Sequence, residues 1–322
     1  MGYLDHGVWR DGWYDTRATG GEFVRKDSQF RARVTADGSC GFPAEPGRYH
    51  LYVSAACPWA HRTLILRELK GLDYTISVSV VHPLMLEHGW VFSDEAGCVP
   101  DTVNGFQYLH QVYTKAQPDY SGRVSVPVLW DRKTATIVNN ESSEIIRMLN
   151  GEFNAFARRP DLDFYPPELR AEIDTINALV YESINNGVYR CGFATTQAAY
   201  ERAFDALFAA LDAIEARLSR SRYLAGGRVT EADCRLFTTL VRFDAVYYAH
   251  FKCNLRRIAE HPNLSNYLRE FYQAPGIAGT VNMDHIKRHY YGSHRRINPT
   301  GIVPKGPLLD FMAPHDRARF ES

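Results

Sequence analysis

The chain has 322 residues, about twice the length of a typical domain, and this length predicts two domains. Its 37 Lys and Arg residues balance 37 Asp and Glu residues, so no net charge attracts nucleic acid or an anionic membrane. Hydrophobic residues make up 45% and charged residues 23%, which excludes a disordered chain. No apolar run approaches the roughly 18 residues of a membrane helix, and the N-terminal residues are too charged for a signal peptide. We therefore expect neither nucleic acid nor a membrane as a partner.

The six cysteines stand singly along the chain. None belongs to a C-x-x-C pair of the kind that binds zinc, and they are too sparse for the disulfide framework of a small secreted protein. We expect no metal, and a cytoplasmic location in which thiols stay reduced. The cysteines are Cys40, Cys57, Cys98, Cys191, Cys234 and Cys253.

Residues 1–46 show no sustained period of two or 3.6 and predict an irregular N-terminal extension. A first domain is predicted over residues 47–150. It opens with a strand over 49–54, continues with a helix that begins at Cys57-Pro58 and ends at Gly71, and returns as a strand over 74–81. Two strands joined by a helix are expected to run parallel.

A polar and aromatic insert covers about residues 82–122 of this domain. The runs VPVLW (126–130) and ATIV (135–138) then predict a hairpin, and residues 141–149 predict a helix. The expected order of the first domain is therefore β-α-β followed by β-β-α.

A Pro-containing linker is predicted over 151–166, and an all-helical domain over 167–292. Apolar residues recur at helical spacing on both sides of residue 190. Thr230 and Asp233, three residues apart, form a variant of the capping box before a buried helix that runs to about residue 251. Residues 293–322 predict an irregular C-terminal tail.

Cys57 is the first candidate for chemistry. Because Pro58 is preferred at the first position of a helix, the Cys57 sulfur is predicted at a helix N-terminus, where N–H groups and the positive dipole end lower the pKa of a thiol. Residue i+3 is Ala60 and not a second cysteine, so an outside thiol has to resolve any covalent intermediate. The alternative is a buried structural cysteine. The combination of strand, Cys-Pro pair and helix favours a functional thiol, and we expect the other five cysteines to be inert.

Two further pairs of residues stand where a peptide ligand could bind. Pro127 cannot donate a ladder hydrogen bond, and a cis bond before it would turn the backbone N–H and carbonyl of Val126 towards an extended peptide. An edge-strand proline is the alternative. Glu141 and Ser142 begin a predicted helix, where the N–H groups and the hydroxyl can hold a carboxylate and the Glu can take an ammonium. Helix capping alone would also explain this pair.

This order of features resembles the cytosolic glutathione transferases. Within that superfamily the chain is similar, over essentially its whole length, to the glutathionyl-hydroquinone reductases, also called the Xi class. The strings that carry the resemblance are CPWAHR (57–62), GRVSVPVLWD (122–131), NNESSEIIRMLN (139–150), NNGVYRCGFATTQ (185–197) and DAVYYAHFKCN (244–254). The resemblance implies an α/β plus all-α fold, with a thioredoxin-like N-terminal domain and a helical glutathione-transferase C-terminal domain.

The resemblance also assigns site residues, motif by motif. It implies that Cys57 is the nucleophile and that glutathione is the co-substrate. The residues implied to hold glutathione are Trp90, Arg123, Val126 through its backbone, Glu141 and Ser142, and those implied to line the hydroquinone site are Tyr189, Tyr247 and Tyr290. The chain has 19 tyrosines, so packing is the alternative for each of these three.

The reaction that the resemblance implies begins with attack of the Cys57 thiolate on the glutathionyl sulfur of a glutathionyl-hydroquinone, while Tyr189 protonates the ring. Hydroquinone leaves, and a second glutathione releases the mixed disulfide as oxidised glutathione. The superfamily also implies a homodimer, built mainly through the helical half.

Two other functions are compatible with the sequence. A monothiol thioltransferase or dehydroascorbate reductase of the Omega type also uses a Cys-Pro helix start but does not need the tyrosines. A non-catalytic transferase-like protein that binds hydrophobic ligands or bridges partners would not need Cys57. The product that the protein releases discriminates among the three.

Overall fold

The computed structural model describes residues 2–320 and divides by contacts into two compact units. The first unit comprises the residues up to Trp13, Asp27–Asp163 and Gly279–His294; the second comprises Tyr14–Lys26, Phe164–Ala278 and the residues from Arg295 onward. Segments from both ends of the chain therefore belong to each unit. Among the described residues, no helix is long and apolar enough to cross a membrane.

The N-terminal extension contains short strands, whereas the sequence predicted irregular structure for residues 1–46. Strands β1 (Gly2–Asp5) and β2 (Val8–Asp11) form an antiparallel hairpin, and β3 (Val34–Thr35) pairs in parallel with β4 (Phe42–Pro43). None of these strands exceeds four residues, which is too short for an alternating pattern to be recognised. Met1, the first residue of the predicted extension, lies outside the described residues.

The predicted β-α-β unit is present in the first unit of the structure. Strand β5 (Tyr49–Val53) is buried along its whole length and pairs in parallel with β6 (Ser77–Val80). Helix α1 (Pro58–Lys70) connects them. It ends at Gly71, whose φ of 65° is a left-handed conformation that costs glycine little.

The insert contains a helix that the sequence analysis missed. Helix α2 (Leu109–Ala116) buries Leu109, Val112 and Tyr113, an i, i+3, i+4 pattern that was readable in the sequence. Strand β7 (Gly122–Arg123) follows and pairs antiparallel with β1 of the extension. The extension and the end of the insert thus form one small sheet.

The predicted β-β-α half follows the insert. Strands β8 (Val128–Asp131) and β9 (Thr136–Asn139) form the hairpin, and helix α3 (Ser142–Gly151) follows it. The main sheet has the order β6-β5-β8-β9, so β5 and β8 are its central strands. Helices α1 and α3 pack against each other and belong to the same unit as this sheet.

The second unit is helical, as predicted. Two of its helical runs contain wide π turns, one over Val180–Asn185 and one over Phe243–Tyr247. The helices are α4 (Arg170–Leu179), α5 (Gly187–Phe193), α6 (Gln197–Leu218), α7 (Glu231–Arg242), α8 (Tyr248–His250) and α9 (Pro262–Gln273).

Helix α10 (Met283–Ser293) belongs by its contacts to the first unit. The His289 ring is hydrogen-bonded through Nδ1 to the Pro83 carbonyl at 2.9 Å, and the Met85 N–H donates to the Ser293 hydroxyl at 2.9 Å. These bonds attach the helix to the start of the insert.

Residues 294–316 contain no helix or strand, and the tail is fastened to the second unit by Arg317. This side chain is fully buried, and its guanidinium donates to the backbone carbonyls of Leu218 and Arg222 at 2.8 and 2.6 Å. Glu321 and Ser322, the last residues of the predicted tail, lie outside the described residues.

The capping box at Thr230 and Asp233 is formed as predicted, and the Asp233 carboxylate is fully buried. It accepts hydrogen bonds from the Thr230 N–H at 2.8 Å, the Leu224 N–H at 2.9 Å and the Tyr267 hydroxyl at 2.9 Å. Burial raises the pKa of Asp233, and these donors oppose that shift. The carboxylate therefore joins the start of α7 to the preceding loop and to α9.

We predict that Asp233→Asn lowers the free energy of unfolding by about 2–4 kcal/mol, because an amide N–H₂ then faces buried donors. Urea denaturation followed by circular dichroism measures this. Glu260→Gln is the matched control, since Glu260 caps the Arg257 N–H from an exposed position and should leave the midpoint nearly unchanged. Equal midpoints for the two variants would contradict the prediction.

Candidate active site

Cys57 occupies the position that the sequence predicted for it. It is the N-cap residue of α1, with extended backbone angles (φ −77°, ψ 124°), and Pro58 is the first residue of the helix. The Cys57 N–H donates to the Ser54 carbonyl at 3.1 Å, and the Ala56 N–H donates to the Ser54 hydroxyl at 3.2 Å. The turn between β5 and α1 therefore holds a half-buried sulfur at the N-terminus of a helix, which favours the thiolate.

The remaining cysteines have different surroundings. Burial raises the pKa of Cys234 and of Cys253 well above the ordinary value for a thiol. Burial, assisted by the Glu95 carboxylate, also raises the pKa of Cys98. Cys191 is buried, and Cys40 is exposed in a turn that starts no helix. Cys57 is thus the one cysteine of the described chain that combines solvent access with a helix N-terminus.

The backbone of Val126 lies beside the sulfur. The Cys57 thiol donates to the Val126 carbonyl with an S···O distance of 3.6 Å. The Val126–Pro127 bond is cis, which was one of the two alternatives given for Pro127. The Cys-Pro helix start and the Val-Pro strand start, 69 residues apart in sequence, therefore meet at one place in the first unit.

Glu141 and Ser142 stand at the N-terminus of α3. The Glu141 carboxylate caps the helix by accepting from the Ser143 N–H at 3.0 Å, and its second oxygen accepts from the Ser28 hydroxyl at 3.3 Å. The capping explanation is therefore correct for Glu141, and it does not exclude ligand binding. The buried Ser142 hydroxyl accepts from Arg62 at 3.3 Å.

Arg62 was not singled out by the sequence analysis, although it lies within the CPWAHR string. It is 1% exposed, and its guanidinium carbon lies 4.5 Å from the centre of the Trp59 ring. Arg62 belongs to α1 and Ser142 to α3, so the side chain bridges the two helix starts. The buried guanidinium places positive charge between α1 and the start of α3.

Arg123 is held by the N-terminal extension. Its guanidinium donates to the carbonyls of Gly12 at 2.6 Å and Trp13 at 2.9 Å, and it lies 5.5 Å from the centre of the Tyr3 ring. Since β7 pairs with β1, the extension fixes both the backbone and the side chain of Arg123. No local pattern in the sequence indicates this arrangement, because the partners are backbone carbonyls more than 100 residues away.

Trp90 and Tyr290 belong to one aromatic cluster in the first unit. The Trp90 indole stacks on His289 of α10 at 4.9 Å between ring centres, with 20° between the planes. Tyr290 packs edge-on against His289 at 5.1 Å and against His294 at 5.4 Å. Tyr290 is 1% exposed, so its ring is almost completely enclosed by protein.

Tyr189 and Tyr247 lie together in the second unit, with ring centres 6.1 Å apart. Both pack against Phe251, which stacks on Tyr247 at 5.4 Å and lies 5.4 Å from Tyr189. Tyr189 follows one π turn, and Tyr247 ends the other. In a π turn a backbone N–H donates to the carbonyl five residues earlier: here Asn186 donates to Tyr181, and Tyr248 donates to Phe243. Such turns occur often at functional sites.

The predicted site residues are divided between the two units. In the first unit are Cys57, Trp90, Arg123, Val126, Glu141, Ser142 and Tyr290, and in the second are Tyr189 and Tyr247. Across residues 2–320 there is no group of three or more His, Cys, Asp or Glu side chains that could hold a metal ion.

Two protein-family models match the chain. The glutathione S-transferase N-terminal domain matches residues 56–152, and the glutathione S-transferase C-terminal domain matches residues 197–270. These matches confirm the predicted fold class, a thioredoxin-like domain followed by a helical one.

Three proteins illustrate the similarity. Glutathionyl-hydroquinone reductase PcpF of Sphingobium chlorophenolicum is 59% identical over 95% of this chain and 96% of its own length. Glutathionyl-hydroquinone reductase YqjG of Escherichia coli is 56% identical over 98% of each chain, and its glutathione-bound structure superposes with a TM-score of 0.91 at 52% identity, covering 98% of this chain and 99% of that one. An Xi class glutathione transferase from Natrialba magadii superposes with a TM-score of 0.93 at 51% identity, covering 99% and 97%.

We predict that Cys57 is the cysteine that forms a mixed disulfide when the protein is incubated with oxidised glutathione, because the thiolate is the attacking species. Peptide mass spectrometry locates the adduct. Cys40 is the internal control, since it is exposed without lying at a helix start. An adduct on Cys40 at the same rate would show that exposure and not helix position decides reactivity, and an adduct on another cysteine alone would contradict the assignment of Cys57.

Proposed function

Because the chain belongs to the glutathionyl-hydroquinone reductases, the Xi class of glutathione transferases, we propose that it converts glutathionyl-hydroquinones to hydroquinones with glutathione as the reductant. The observation that carries this proposal is the single half-buried thiol of Cys57 at the start of α1, 3.6 Å from the Val126 carbonyl and without a cysteine at residue 60. A single thiol can take a glutathionyl group from a substrate but needs an outside thiol to return to the reduced state.

In the first step, the Cys57 thiolate attacks the glutathionyl sulfur of the substrate. A sulfur–sulfur bond forms, and the bond between that sulfur and the ring carbon breaks. The electron pair of the broken bond stays on the ring carbon, which takes a proton from Tyr189 and leaves as hydroquinone. The ring is thereby reduced by two electrons, and Cys57 is oxidised to a mixed disulfide.

In the second step, the thiolate of another glutathione attacks the mixed disulfide at the glutathione sulfur. Oxidised glutathione leaves, the Cys57 thiolate is restored, and the proton lost by the incoming glutathione thiol replaces the one that Tyr189 gave to the ring. The sum of the two steps is one glutathionyl-hydroquinone and one glutathione converted to one hydroquinone and one oxidised glutathione. Stabilisation of the thiolate by the first turn of α1 also makes Cys57 a better leaving group in this step.

The proposed glutathione residues each offer a group that suits part of a γ-glutamyl tripeptide. The first turn of α3 and the Ser142 hydroxyl suit a carboxylate, and the Glu141 carboxylate suits an ammonium. The Val126 backbone suits strand-like pairing with the cysteinyl part of the peptide. The other two residues proposed to hold glutathione are Trp90, whose indole is held by stacking, and Arg123, whose cation is held by hydrogen bonds.

The proposed ring site uses three phenols. The resemblance places Tyr189, Tyr247 and Tyr290 there, and a phenol suits such a site because it combines an aromatic face with one O–H for the oxygens of a hydroquinone. In this structure Tyr189 is 9% exposed, whereas Tyr247 and Tyr290 are enclosed by protein. We further propose a homodimer that assembles mainly through the helical half, and a cytoplasmic location, in which glutathione keeps Cys57 reduced.

The experiment that tests the function follows hydroquinone released from a glutathionyl-hydroquinone by chromatography. Cys57→Ser should abolish release, because a serine hydroxyl is protonated near neutral pH and forms no disulfide. Cys40→Ser is the control and should match the wild type. Turnover of a simple glutathione mixed disulfide without hydroquinone release would favour an Omega-type thioltransferase, and no turnover of either would favour a non-catalytic binder.

We predict that Tyr189→Phe lowers glutathionyl-hydroquinone turnover by about 10²- to 10⁴-fold, the usual worth of a general acid, with little change in melting temperature. Turnover of a simple mixed disulfide should fall far less, because its thiolate leaving group needs no ring protonation. Steady-state kinetics on both substrates gives the ratio.

The control for this prediction is Tyr248→Phe, which removes a hydroxyl from a half-buried tyrosine next to Tyr247. It should leave both activities near wild type. An equal loss of both activities in Tyr189→Phe would mean that Tyr189 shapes the surroundings of Cys57, and no loss would mean that the tyrosines are structural.

We predict that the protein sediments as a homodimer at micromolar concentration. Sedimentation velocity at two protein concentrations measures this. A single species with the mass of one chain at both concentrations would contradict the proposed assembly.

A further inference from the structure

The N-terminal extension contributes an arginine to the surroundings of Tyr189. Residues Tyr14–Lys26 belong to the second unit. Phe23 anchors this segment: it is 3% exposed and packs edge-on against Phe193 at 5.1 Å and against Tyr14 at 4.8 Å. Arg25 follows two residues later and is half-buried.

The Arg25 guanidinium lies over the Tyr189 ring. Its central carbon is 5.0 Å from the centre of that ring and 5.3 Å from the centre of the Phe23 ring. The Arg25 Nε–H donates to the Asn186 side-chain oxygen at 2.9 Å. Asn186 is buried and directly precedes α5, three residues before Tyr189. The cation is thus attached to the same helical turn that carries the phenol.

A cation on the face of a phenol has two effects. It attracts the π electrons of the ring, which holds the ring plane in one orientation. It also stabilises the negative charge that develops on the phenol oxygen when the proton is transferred, so the O–H becomes a stronger proton donor. Both effects bear on a tyrosine that protonates a leaving group and are unimportant for one that only fills space.

We propose that Arg25 is a positioning residue for the reductase reaction that acts through Tyr189 by fixing the ring and strengthening the phenol as a proton donor. This inference rests on the proposed function, in which Tyr189 protonates the departing hydroquinone. It assigns a role in the reaction to the N-terminal extension, which carries no catalytic motif of its own.

A neighbouring arginine, Arg190, provides a matched control. Arg25, Arg190 and Arg202 line one cavity of about 490 Å³ in the second unit, together with Phe23 and Asn186. Arg190 forms an ion pair with Glu182 at 2.6 Å, and Arg202 forms one with Glu22 at 2.6 Å. Arg190 is adjacent to Tyr189 in sequence, so Arg190→Met removes a cation from the same helix and cavity by the same chemical change.

The first arm of the experiment compares Arg25→Met, Arg25→Lys and Arg190→Met with the wild type. Arg25→Met should lower kcat for a glutathionyl-hydroquinone by about tenfold, the order of magnitude of one partly desolvated cation–π contact, with KM changed less than twofold. Turnover of a simple glutathione mixed disulfide should change less than twofold. Arg25→Lys should recover part of the lost kcat, and Arg190→Met should match the wild type on both substrates.

The second arm tests whether Arg25 acts through Tyr189. Adding Arg25→Met to Tyr189→Phe should cause no further loss of hydroquinone release, because the group on which Arg25 acts is already gone. A further tenfold loss in the double variant would overturn the inference, since it would show an effect independent of the phenol.

The third arm tests whether added guanidinium ion restores the activity of Arg25→Ala. Arg25→Ala leaves space for a guanidinium ion beside a cavity of about 490 Å³. Guanidinium chloride at non-denaturing millimolar concentration should raise hydroquinone release by Arg25→Ala at least threefold and leave Arg190→Ala unchanged. A merely structural role for Arg25 predicts no such recovery.

The outcomes separate the two proposals. Suppose that the wild type releases hydroquinone. If Arg25→Met then equals the wild type, or loses activity equally on both substrates, the role of Arg25 is overturned and the proposed function stands. Absence of hydroquinone release by the wild type overturns the proposed function and, with it, this inference.

Discussion

The negative charge that the Cys57 sulfur carries in the proposed reaction is stabilised by the first turn of α1. This requires that the chain leave the buried strand β5, turn at Ser54 and enter a helix with Pro58 already at its first position. The Val126 carbonyl, which precedes β8, lies 3.6 Å from the thiol, and Arg62 joins α1 to the start of α3. Val126 and Ser142, two of the proposed glutathione-binding residues, are therefore linked to α1, the first through the Cys57 thiol and the second through Arg62.

The N-terminal extension is more than a cover for the first unit. Its first strand pairs with β7 and its carbonyls at Gly12 and Trp13 hold the Arg123 guanidinium, while its later segment carries Arg25 to the face of Tyr189. One connected stretch of chain thus contributes to both units. Its contributions are backbone carbonyls, the Arg25 cation, the Ser28 hydroxyl and aromatic ring faces, none of which forms a sequence motif, although the extension contacts Arg123, Glu141 and Tyr189.

The positions of Tyr189 and Tyr247 depend on π turns, which a regular α-helix does not contain. The π turns over Val180–Asn185 and Phe243–Tyr247 each add one residue to a helical turn. An added residue rotates everything that follows by about 100° relative to a regular α-helix. The faces on which Tyr189 and Tyr247 lie are therefore not those that an uninterrupted period of 3.6 gives, and the two rings reach a separation of 6.1 Å.

Local signals in the sequence determined the elements of the main sheet, the helix start at Cys57-Pro58, the helix end at Gly71 and the capping box at Thr230, because proline, glycine and capping side chains act on their own backbone neighbours. The motif strings also identified the family, which the comparisons confirm. The sequence could not supply the strands of the extension, the hydrogen bonds that hold Arg123, or the approach of Arg25 to Tyr189. The strands of the extension are too short to show a pattern, and the contacts of Arg123 and Arg25 join residues more than 100 positions apart through carbonyls and ring faces that every sequence contains. Only the tertiary structure decides which of those common groups meet.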